Sequence, residues 1–175
     1  YEWQMMSNKK AYNIFGIIFI IISFYLIYKL RNDFEEGFIY FLFITLICIS
    51  TDIGGYVIGK IFKGPKLTKI SPKKTYSGMI GGYFFSIISV ILFKNNIFLI
   101  VPIVLNLNIF VFVILISTVS QLGDIIISYF KRKSKIKDTG KIIPGHGGIL
   151  DRIDGMIFAF PFSYLIISTN IFKYF

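Results

Sequence analysis

The residues best suited to chemistry lie in the stretch 128–154, which reads SYFKRKSKIKDTGKIIPGHGGILDRID. It holds seven cations, three aspartates, four glycines and the single histidine of the chain. Carboxylate oxygens are ligands that Mg²⁺ prefers, and Mg²⁺ commonly joins one or two of them to substrate phosphates. Cations and glycine amides hold and neutralise the phosphates. The pattern therefore predicts a site for a divalent metal and phosphorylated substrates.

Other kinds of site are not indicated by the sequence. It has no Cys/His set that suits zinc, no Ser–His–Asp spacing for acyl transfer and no GxxxxGK[ST] phosphate loop. The one cysteine, Cys48, lies in an apolar run, where a small buried hydrophobe is expected. The net charge is +10, but the cations sit between hydrophobic runs. Anionic lipid or a small phosphorylated substrate is therefore favoured over nucleic acid.

Asp124 is predicted to face the interior of the protein. Ser117, Gln121, Asp124, Ser128 and Lys131 follow one another at steps of four and three, so they share one face of a helix. A charge in hydrocarbon costs roughly 2.5–3.5 kcal/mol, which disfavours a lipid-facing carboxylate. This polar stripe is either part of a site or a hydrogen-bonded seam between helices.

Three further aspartates are candidates for the same acidic centre. Asp151 and Asp154 share a face where a helix begins, although simple N-capping is the alternative. Asp52 lies near the end of an apolar run, where an interfacial residue is the alternative. The glycines that follow it, Gly54 and Gly55, predict a close approach to another helix.

Two polar loops accompany these aspartates. In PGHGG, residues 144–148, the glycines let backbone N–H groups approach an anion, although turns also use Gly and Pro. In SPKKTYSG, residues 71–78, two lysines and two hydroxyls precede an apolar run, a pattern that membrane sidedness alone also explains. Taken with the aspartates, both loops favour a metal and phosphate site.

Long apolar runs predict that a membrane protein carries these residues, since 55% of the chain is apolar and 16% charged. The loops 60–76 and 131–152 carry six and seven basic residues, and positive-inside bias puts both in the cytoplasm. The connection 94–108 then does not span. The expected fold is all-α, a polytopic membrane protein with about five transmembrane helices, N-in and C-out. The predicted spans are 12–28, 37–59, 77–93, 109–130 and 155–172.

The order and spacing of these motifs closely resemble those of the phosphatidate cytidylyltransferases, or CDP-diacylglycerol synthases. The likeness covers roughly residues 50–160. YEW at the start is similar to a segment that the family carries after earlier membrane helices, which implies that N-terminal helices of the family fold are absent from 1–175. Ser77 stands where the family usually has Glu, and Gly55 stands where Ala is common. The motifs are S-Y-F-K-R, K-D-T-G and P-G-H-G-G-I-L-D-R-I-D, with D-I-G-G-Y-V-I-G-K, S-P-K-K-T and Gly-Asp at 123–124.

The resemblance implies the reaction CTP + phosphatidate → CDP-diacylglycerol + pyrophosphate in phospholipid biosynthesis. The implied cofactor is Mg²⁺, with a monovalent cation as a further candidate. Residues 1–175 would form a single integral membrane catalytic domain in a membrane of the bacterial inner-membrane type, with the active site at the cytoplasmic face. The implied partners are CTP, phosphatidate, membrane lipids and a second copy of the chain in a homodimer, and no nucleic acid.

The residue types and the resemblance together give the candidate site residues. The catalytic candidates are Asp124, Asp151, Lys137, Asp138, His146 and Arg152. The substrate-binding candidates are Ser71, Lys73, Lys74, Thr75, Ser128, Lys131, Arg132, Gly145, Gly147 and Gly148. The metal ligands would be Asp124, Asp151 and Asp154, with Asp138 and Asp52 as further candidates.

Two other functions remain open at this stage. Another membrane phospholipid phosphotransferase would show paired aspartates over two turns of one helix, which the chain lacks beyond DRID. A transporter or lipid-binding membrane protein would explain Asp124 and Asp52 as an ion path. It would leave PGHGG and SPKKT without a role.

Overall fold

The computed structural model describes residues 1–7, 10–68, 70–71, 73–95, 106–140, 142 and 147–169. Every extended regular element in these residues is an α-helix, which confirms the predicted all-α class for this part of the chain. An isolated antiparallel bridge between Lys66 and Thr75 joins the two arms of one connection. The helices are α1 (Glu2–Ser7), α2 (Asn13–Asn32), α3 (Gly37–Phe62), α4 (Tyr76–Asn95), α5 (Leu107–Lys133), α6 (Leu150–Ile153) and α7 (Met156–Ser168).

Three helices, α2, α3 and α5, are long and apolar enough to cross a membrane. The apolar part of α4 is shorter, and α7 has 13 residues, or about 20 Å of helix against about 30 Å of hydrocarbon. Of the five predicted crossings, three are therefore supported by helix length. The predicted connection 94–108 lies largely outside the described residues, as does the end of the last predicted span. The N-in, C-out orientation stays a prediction.

Helix α2 has the composition and the low burial expected of a helix in contact with lipid. Its residues are apolar around the whole circumference, and only Ser23 and Leu30 are buried. The helix packs against α7 and α3. An apolar helix with so little burial inside the protein is expected to expose its remaining surface to hydrocarbon.

Helices α3 and α4 pack closely through their glycines. A Cβ atom at Gly54 would overlap the carbonyl oxygen of Gly81, and one at Gly81 would overlap the side chain of Ile58. This confirms the close helix approach predicted from the glycines of α3 and identifies α4 as the partner. The approach brings the C-terminal half of α3 beside the connection that precedes α4.

Two apolar clusters flank the polar part of α5. The larger packs the N-terminal half of α5 against α3 and α7, and it buries Cys48 completely, as the sequence predicted. The smaller packs Trp3 of α1 against Ile127 of α5 and Ile157 of α7. The residues between these clusters are held by packing on both sides, which suits a site that must keep charges in place.

Both basic connections lie at the same end of the helices. Lys74, just before α4, contacts Asp124 of α5, and Lys131 near the end of α5 contacts Asp151 of α6. At the other end, the Tyr164 hydroxyl donates a hydrogen bond to Asp33. The shared end agrees with an even number of crossings between the two basic loops.

Candidate active site

A cavity of about 330 Å³ opens between α3, α4, α5 and the connection 63–75. It is half-open and lies at the end of the helices where the basic connections meet. The cavity brings together six residues that the sequence placed at the site: Asp52, Ser71, Lys73, Lys74, Thr75 and Asp124. They come from α3, from α5 and from the one connection before α4, which are separate in sequence, so the tertiary structure makes this site.

The ion pair between Lys74 and Asp124 lies on the wall of this cavity. The Lys74 Nζ atom is 2.5 Å from Asp124 Oδ2, and the two side chains are 24% and 30% exposed. The Ser128 hydroxyl donates to Asp124 Oδ1 at 3.3 Å. Asp124 lies nine residues before the end of α5 at Lys133, which is about 13 Å along the helix axis. The carboxylate is therefore recessed below the end of the bundle but reachable through the cavity.

Asp154 is the buried member of the acidic centre, with 8% of its surface exposed. Burial and then the negative charge of nearby Asp124 raise the pKa of the Asp154 carboxyl above its usual range. The Lys131 ammonium acts in the opposite direction, and the Gly155 N–H donates to Asp154 Oδ1 at 2.9 Å. Asp52 adds a further negative charge to this neighbourhood from α3. The charges of Asp124 and Asp52 therefore both disfavour ionisation of Asp154.

Asp151 has a different environment. Its Oδ1 atom accepts from Lys131 Nζ at 2.9 Å, and its Oδ2 atom accepts from the backbone N–H groups of Thr139 and Gly148 at 2.8 and 3.0 Å. Burial raises the pKa of the carboxyl, but the Lys131 hydrogen bond and the two N–H donors outweigh it and hold the pKa below its usual value. Asp151 is therefore ionised, and both of its carboxylate oxygens accept hydrogen bonds.

The sequence predicted that Asp124 and Asp151 hold one metal, but each is held here by its own lysine. Among the described residues, no three acidic, histidine or cysteine side chains form a ready metal-binding group. The donor chemistry nevertheless fits Mg²⁺, because Mg²⁺ prefers carboxylate oxygens, and because burial and then the negative charge of Asp124 raise the pKa of the Asp154 carboxyl. A divalent cation would offset that negative charge. The metal ligands therefore stay a prediction.

The glycines next to α6 make room for carboxylates. Gly147 has φ of +85°, and a Cβ atom there would stand 2.8 Å from Asp151 Oδ2 and 3.4 Å from Asp138 Cβ. The N–H group of Gly148 already donates to Asp151, so a phosphate could use that donor only by displacing Asp151. Gly145 and His146, predicted to cradle phosphate, lie outside the described residues. The phosphate roles of these four residues stay predictions.

The remaining candidates sit on the surface of the same end. Lys137, Asp138, Arg132 and Arg152 are exposed and do not line the 330 Å³ cavity. The Arg132 guanidinium donates to the Ile136 carbonyl oxygen at 3.3 Å. Their roles in catalysis and substrate binding stay predictions.

The polar stripe of α5 forms hydrogen bonds between helices in its inner half and carries charged groups in its outer half. At its inner end, Thr51 of α3 donates to Ser117 Oγ at 2.9 Å, and Gln121 Nε2 donates weakly to Ser117 Oγ and to the Met79 carbonyl oxygen. This half is the seam between helices that the sequence left open as an alternative. The outer half, from Asp124 onward, carries the charges of the site.

Ser77, which departs from the family pattern, caps a turn. Its hydroxyl hydrogen-bonds to the Lys63 carbonyl oxygen and to Thr75 Oγ1. The serine therefore fixes the connection between α3 and α4 on the wall of the cavity. A carboxylate at this position could not donate to that carbonyl.

Comparison with known proteins decides the family. A family model described as "Cytidylyltransferase family" matches residues 3–170. The chain belongs to this family. The phosphatidate cytidylyltransferase of Bacillus subtilis (strain 168) is 37% identical over 152 residues, which are 86% of this chain and 55% of that protein. Those of Staphylococcus aureus (strain COL) and Staphylococcus haemolyticus (strain JCSC1435) are 38% and 39% identical, over 86% of this chain and 56% of theirs.

The match to the cytidylyltransferase family covers every residue from Asp52 to Asp154 that the sequence placed at the site. The chain spans about half the length of the curated relatives it matches. The structure adds three polar residues that reasoning from motifs missed: Glu2, Thr51 and Thr139. Thr51 and Thr139 looked like ordinary helix and loop residues, and only their partners across the fold reveal them.

Proposed function

We propose that the chain catalyses CTP + phosphatidate → CDP-diacylglycerol + pyrophosphate. The observation that carries this proposal is the cavity in which Lys73, Lys74 and Asp124 meet at the basic end of an apolar helix bundle. Such a site suits a polyphosphate that arrives from water and a lipid phosphate that arrives from the membrane. Membership of the cytidylyltransferase family and the names of its relatives support the same reaction.

The proposed chemistry needs no general base. An oxygen of the lipid phosphate forms a bond to the α-phosphorus of CTP, the bond from that phosphorus to the bridging oxygen breaks, and pyrophosphate leaves. The second pKa of a phosphate monoester is about 6, so the attacking oxygen is already deprotonated near neutral pH. The obstacle is bringing two anions together, and the site's cations address it.

In this scheme, Lys73 and Lys74 bind phosphate groups, and Ser71 and Thr75 line the same wall. Lys74 would exchange its partner, leaving Asp124 for phosphate as substrate binds. Lys131 stays with Asp151 and offsets the negative charge beside Asp154. The exposed cations and the glycine-rich loop then complete the contacts with the nucleotide.

Mg²⁺ is the proposed cofactor, and a monovalent cation remains a further candidate. Asp124 and Asp154 would hold the divalent ion, with Asp151, Asp52 and Asp138 as the remaining candidates. When bound, the ion would neutralise charge on the reacting phosphates.

We further propose an integral membrane protein of the bacterial inner-membrane type, with its site at the cytoplasmic face, five crossings and a homodimeric assembly. CTP is a cytoplasmic nucleotide, and positive-inside bias favours placing both basic connections on that side. To test sidedness, Cys48 is replaced by Ala and a single cysteine is placed at Lys66, Lys135 or, as the opposite-side control, Glu35. We expect an impermeant thiol reagent applied outside cells to label only the cysteine at position 35. Labelling of position 66 or 135 would overturn the orientation.

The reaction is tested in membranes that contain the full polypeptide, supplied with CTP labelled at the α-phosphate and with phosphatidate. We expect label in CDP-diacylglycerol and one pyrophosphate released for each. Substituting diacylglycerol for phosphatidate is the matched control, because it lacks the attacking phosphate. Absence of lipid-linked label, or label that appears equally with diacylglycerol, would exclude the proposed reaction.

A further inference from the structure

Glu2 is a buried carboxylate that neither the motifs nor the proposed reaction uses. It lies in α1 and is 8% exposed. Its Oε1 atom accepts from the Ile149 N–H at 2.8 Å, and its Oε2 atom accepts from the Leu150 N–H at 2.7 Å and the Thr139 hydroxyl at 3.1 Å. These three hydrogen bonds hold both carboxylate oxygens in place.

The donors bound by Glu2 are interleaved with those bound by Asp151. Thr139 donates its hydroxyl to Glu2 and its N–H to Asp151, while Gly148 donates to Asp151 directly before the two residues that donate to Glu2. The two carboxylates thus tie together both arms of the loop that leads from α5 to α6. Asp151 in turn forms the ion pair with Lys131 at 2.9 Å.

Helix α1 is itself firmly held, so Glu2 acts from a fixed position. The Trp3 indole N–H donates to the Asn13 carbonyl oxygen at 3.0 Å, and its ring packs edge-on against Phe130 with the ring centroids 5.2 Å apart. The Ser7 hydroxyl donates to the Trp3 carbonyl oxygen. A Cβ atom at Gly16 would overlap the Trp3 ring, so α2 also closes on it.

The loop leaves room for this carboxylate and for little else. A Cβ atom at Gly148 would stand 2.5 Å from Glu2 Oε2, and one at Gly140 would stand 2.9 Å from Glu2 Oε1. Both glycines therefore touch the Glu2 side chain. The fit indicates that the loop is built around a side chain of this length.

We propose that Glu2 is a positioning residue: it holds Thr139 beside residues 148–150 so that Asp151 and Lys131 face the acidic centre. The inference rests on the proposed function for its effect on turnover, but its effect on the loop can be measured without turnover. Loss of Glu2 leaves three donors without their acceptor, which frees the loop and with it Asp151.

Three substitutions test this in the full polypeptide. Glu2→Gln keeps the shape but replaces one acceptor oxygen with an NH₂ group that faces N–H donors. Thr139→Val keeps the shape and removes the hydroxyl that bonds Glu2, whereas Thr139→Ser keeps that hydroxyl. Glu35→Gln is the matched control, because Glu35 is an exposed acid between α2 and α3. We expect Glu2→Gln and Thr139→Val to behave alike and Thr139→Ser and Glu35→Gln to behave like the parent protein.

The first readout is hydrogen exchange of the backbone amides at 139 and 148–150. We expect exchange about 10-fold faster or more in Glu2→Gln, since a lost buried acceptor is worth roughly one factor of ten or more. The second readout is the affinity for Mn²⁺, measured by electron paramagnetic resonance without substrate, and we expect it to weaken. In turnover, the half-saturating Mg²⁺ concentration should rise, and added Mg²⁺ should restore part of kcat.

The outcomes separate this inference from the proposed function. Unchanged exchange in Glu2→Gln overturns the positioning role, whatever the activity. Faster exchange with unchanged Mn²⁺ affinity and unchanged Mg²⁺ dependence also overturns it, since Glu2 would then only stabilise a loop remote from the acidic centre. Faster exchange with weaker Mn²⁺ binding supports it even if the parent protein makes no CDP-diacylglycerol, a result that would reject the proposed reaction alone.

Discussion

The two lysine–aspartate pairs of the site look alike in sequence and differ in the fold. Lys74 and Asp124 lie on the wall of an open cavity, with side chains 24% and 30% exposed. Lys131 and Asp151 are 11% and 10% exposed, and Asp151 also accepts two backbone N–H groups. In the first pair, either side chain can exchange its partner for a substrate or an ion. In the second pair, both side chains are nearly buried and Asp151 is also held by backbone N–H groups.

This difference follows from the cost of removing charges from water. A buried pair needs further hydrogen bonds to offset desolvation, and the loop from α5 to α6 supplies them to Asp151. A pair in a cavity keeps part of its hydration, so exchanging one partner costs less. The open pair is therefore suited to chemistry and the closed pair to holding the loop in place.

The largest effect is expected for Asp124→Asn, which removes the charge of the open pair and keeps its size. We expect CDP-diacylglycerol formation to fall by about 100-fold or more, the scale seen when one electrostatic contact to reacting charge is lost. Hydrogen exchange at the amides of 139 and 148–150 should not change, because the bonds described for Asp124 are to Lys74 and Ser128. Formation is measured against Mg²⁺ concentration, with Glu35→Gln as control. Near-normal activity and Mg²⁺ dependence would show that Asp124 only stabilises contacts between helices.

The next effect is expected for Asp151→Asn, which breaks the closed pair. Lys131 would stay buried without its partner, which costs about 3 kcal/mol or more. We expect faster hydrogen exchange across 139–150 together with lower activity, the opposite of the Asp124 pattern in the loop. The double variant Lys131→Met with Asp151→Asn removes the stranded charge and should recover loop protection but not activity. An intact loop in the single variant would contradict the closed role.

A smaller effect is expected from pH, through the lowered pKa of Asp151. A carboxyl whose pKa is lower in the folded protein stabilises the fold above its unfolded pKa, which is about 3.9. That stabilisation is lost as the pH falls through the lower folded value. Thermal unfolding in detergent with chelator should therefore show the parent protein more stable than Asp151→Asn at pH 6. The gap should narrow below about pH 4, and a constant gap would rule out the ionised pair.

The smallest effect is expected for Ser117→Ala, at the uncharged end of the α5 stripe. The Thr51 hydroxyl loses one acceptor but still donates to the Ile47 carbonyl oxygen at 2.8 Å. Hydrogen bonds between membrane helices are worth about 0.6 kcal/mol on average, so stability should fall by about that amount. Activity should stay within about threefold. A large loss of turnover would extend the catalytic half of the stripe inward past Gln121.

Much of the fold could be predicted because its signals are local. The apolar runs predicted α2, α3 and α5 to within a few residues, and the glycines after Asp52 predicted a close helix partner. Of the last predicted span, 155–172, residues Met156–Ser168 form a helix, and residues 170–172 lie outside the described part of the chain, so this crossing stays a prediction.

The site was predicted as a set of residue types, and its internal pairing was not. The motifs placed Asp124 and Asp151 on one metal, whereas the fold gives each a lysine and sets Asp154 against Asp124. Glu2 carried no signal at all beyond its place in YEW. Its partners Ile149 and Leu150 lie almost the whole chain away, 147 and 148 residues on.

By itself, the sequence determined the helices, the basic end of the bundle and the inward polar face of α5, because helical periodicity and hydropathy act between residues close in the chain. The tertiary structure alone decided which lysine meets which aspartate and which pair stays open to the cavity. Ion pairing depends on distance and on burial, and both are set by packing between helices that are far apart in sequence. Lys74 reaches Asp124 only because α3, α4 and α5 close around one cavity.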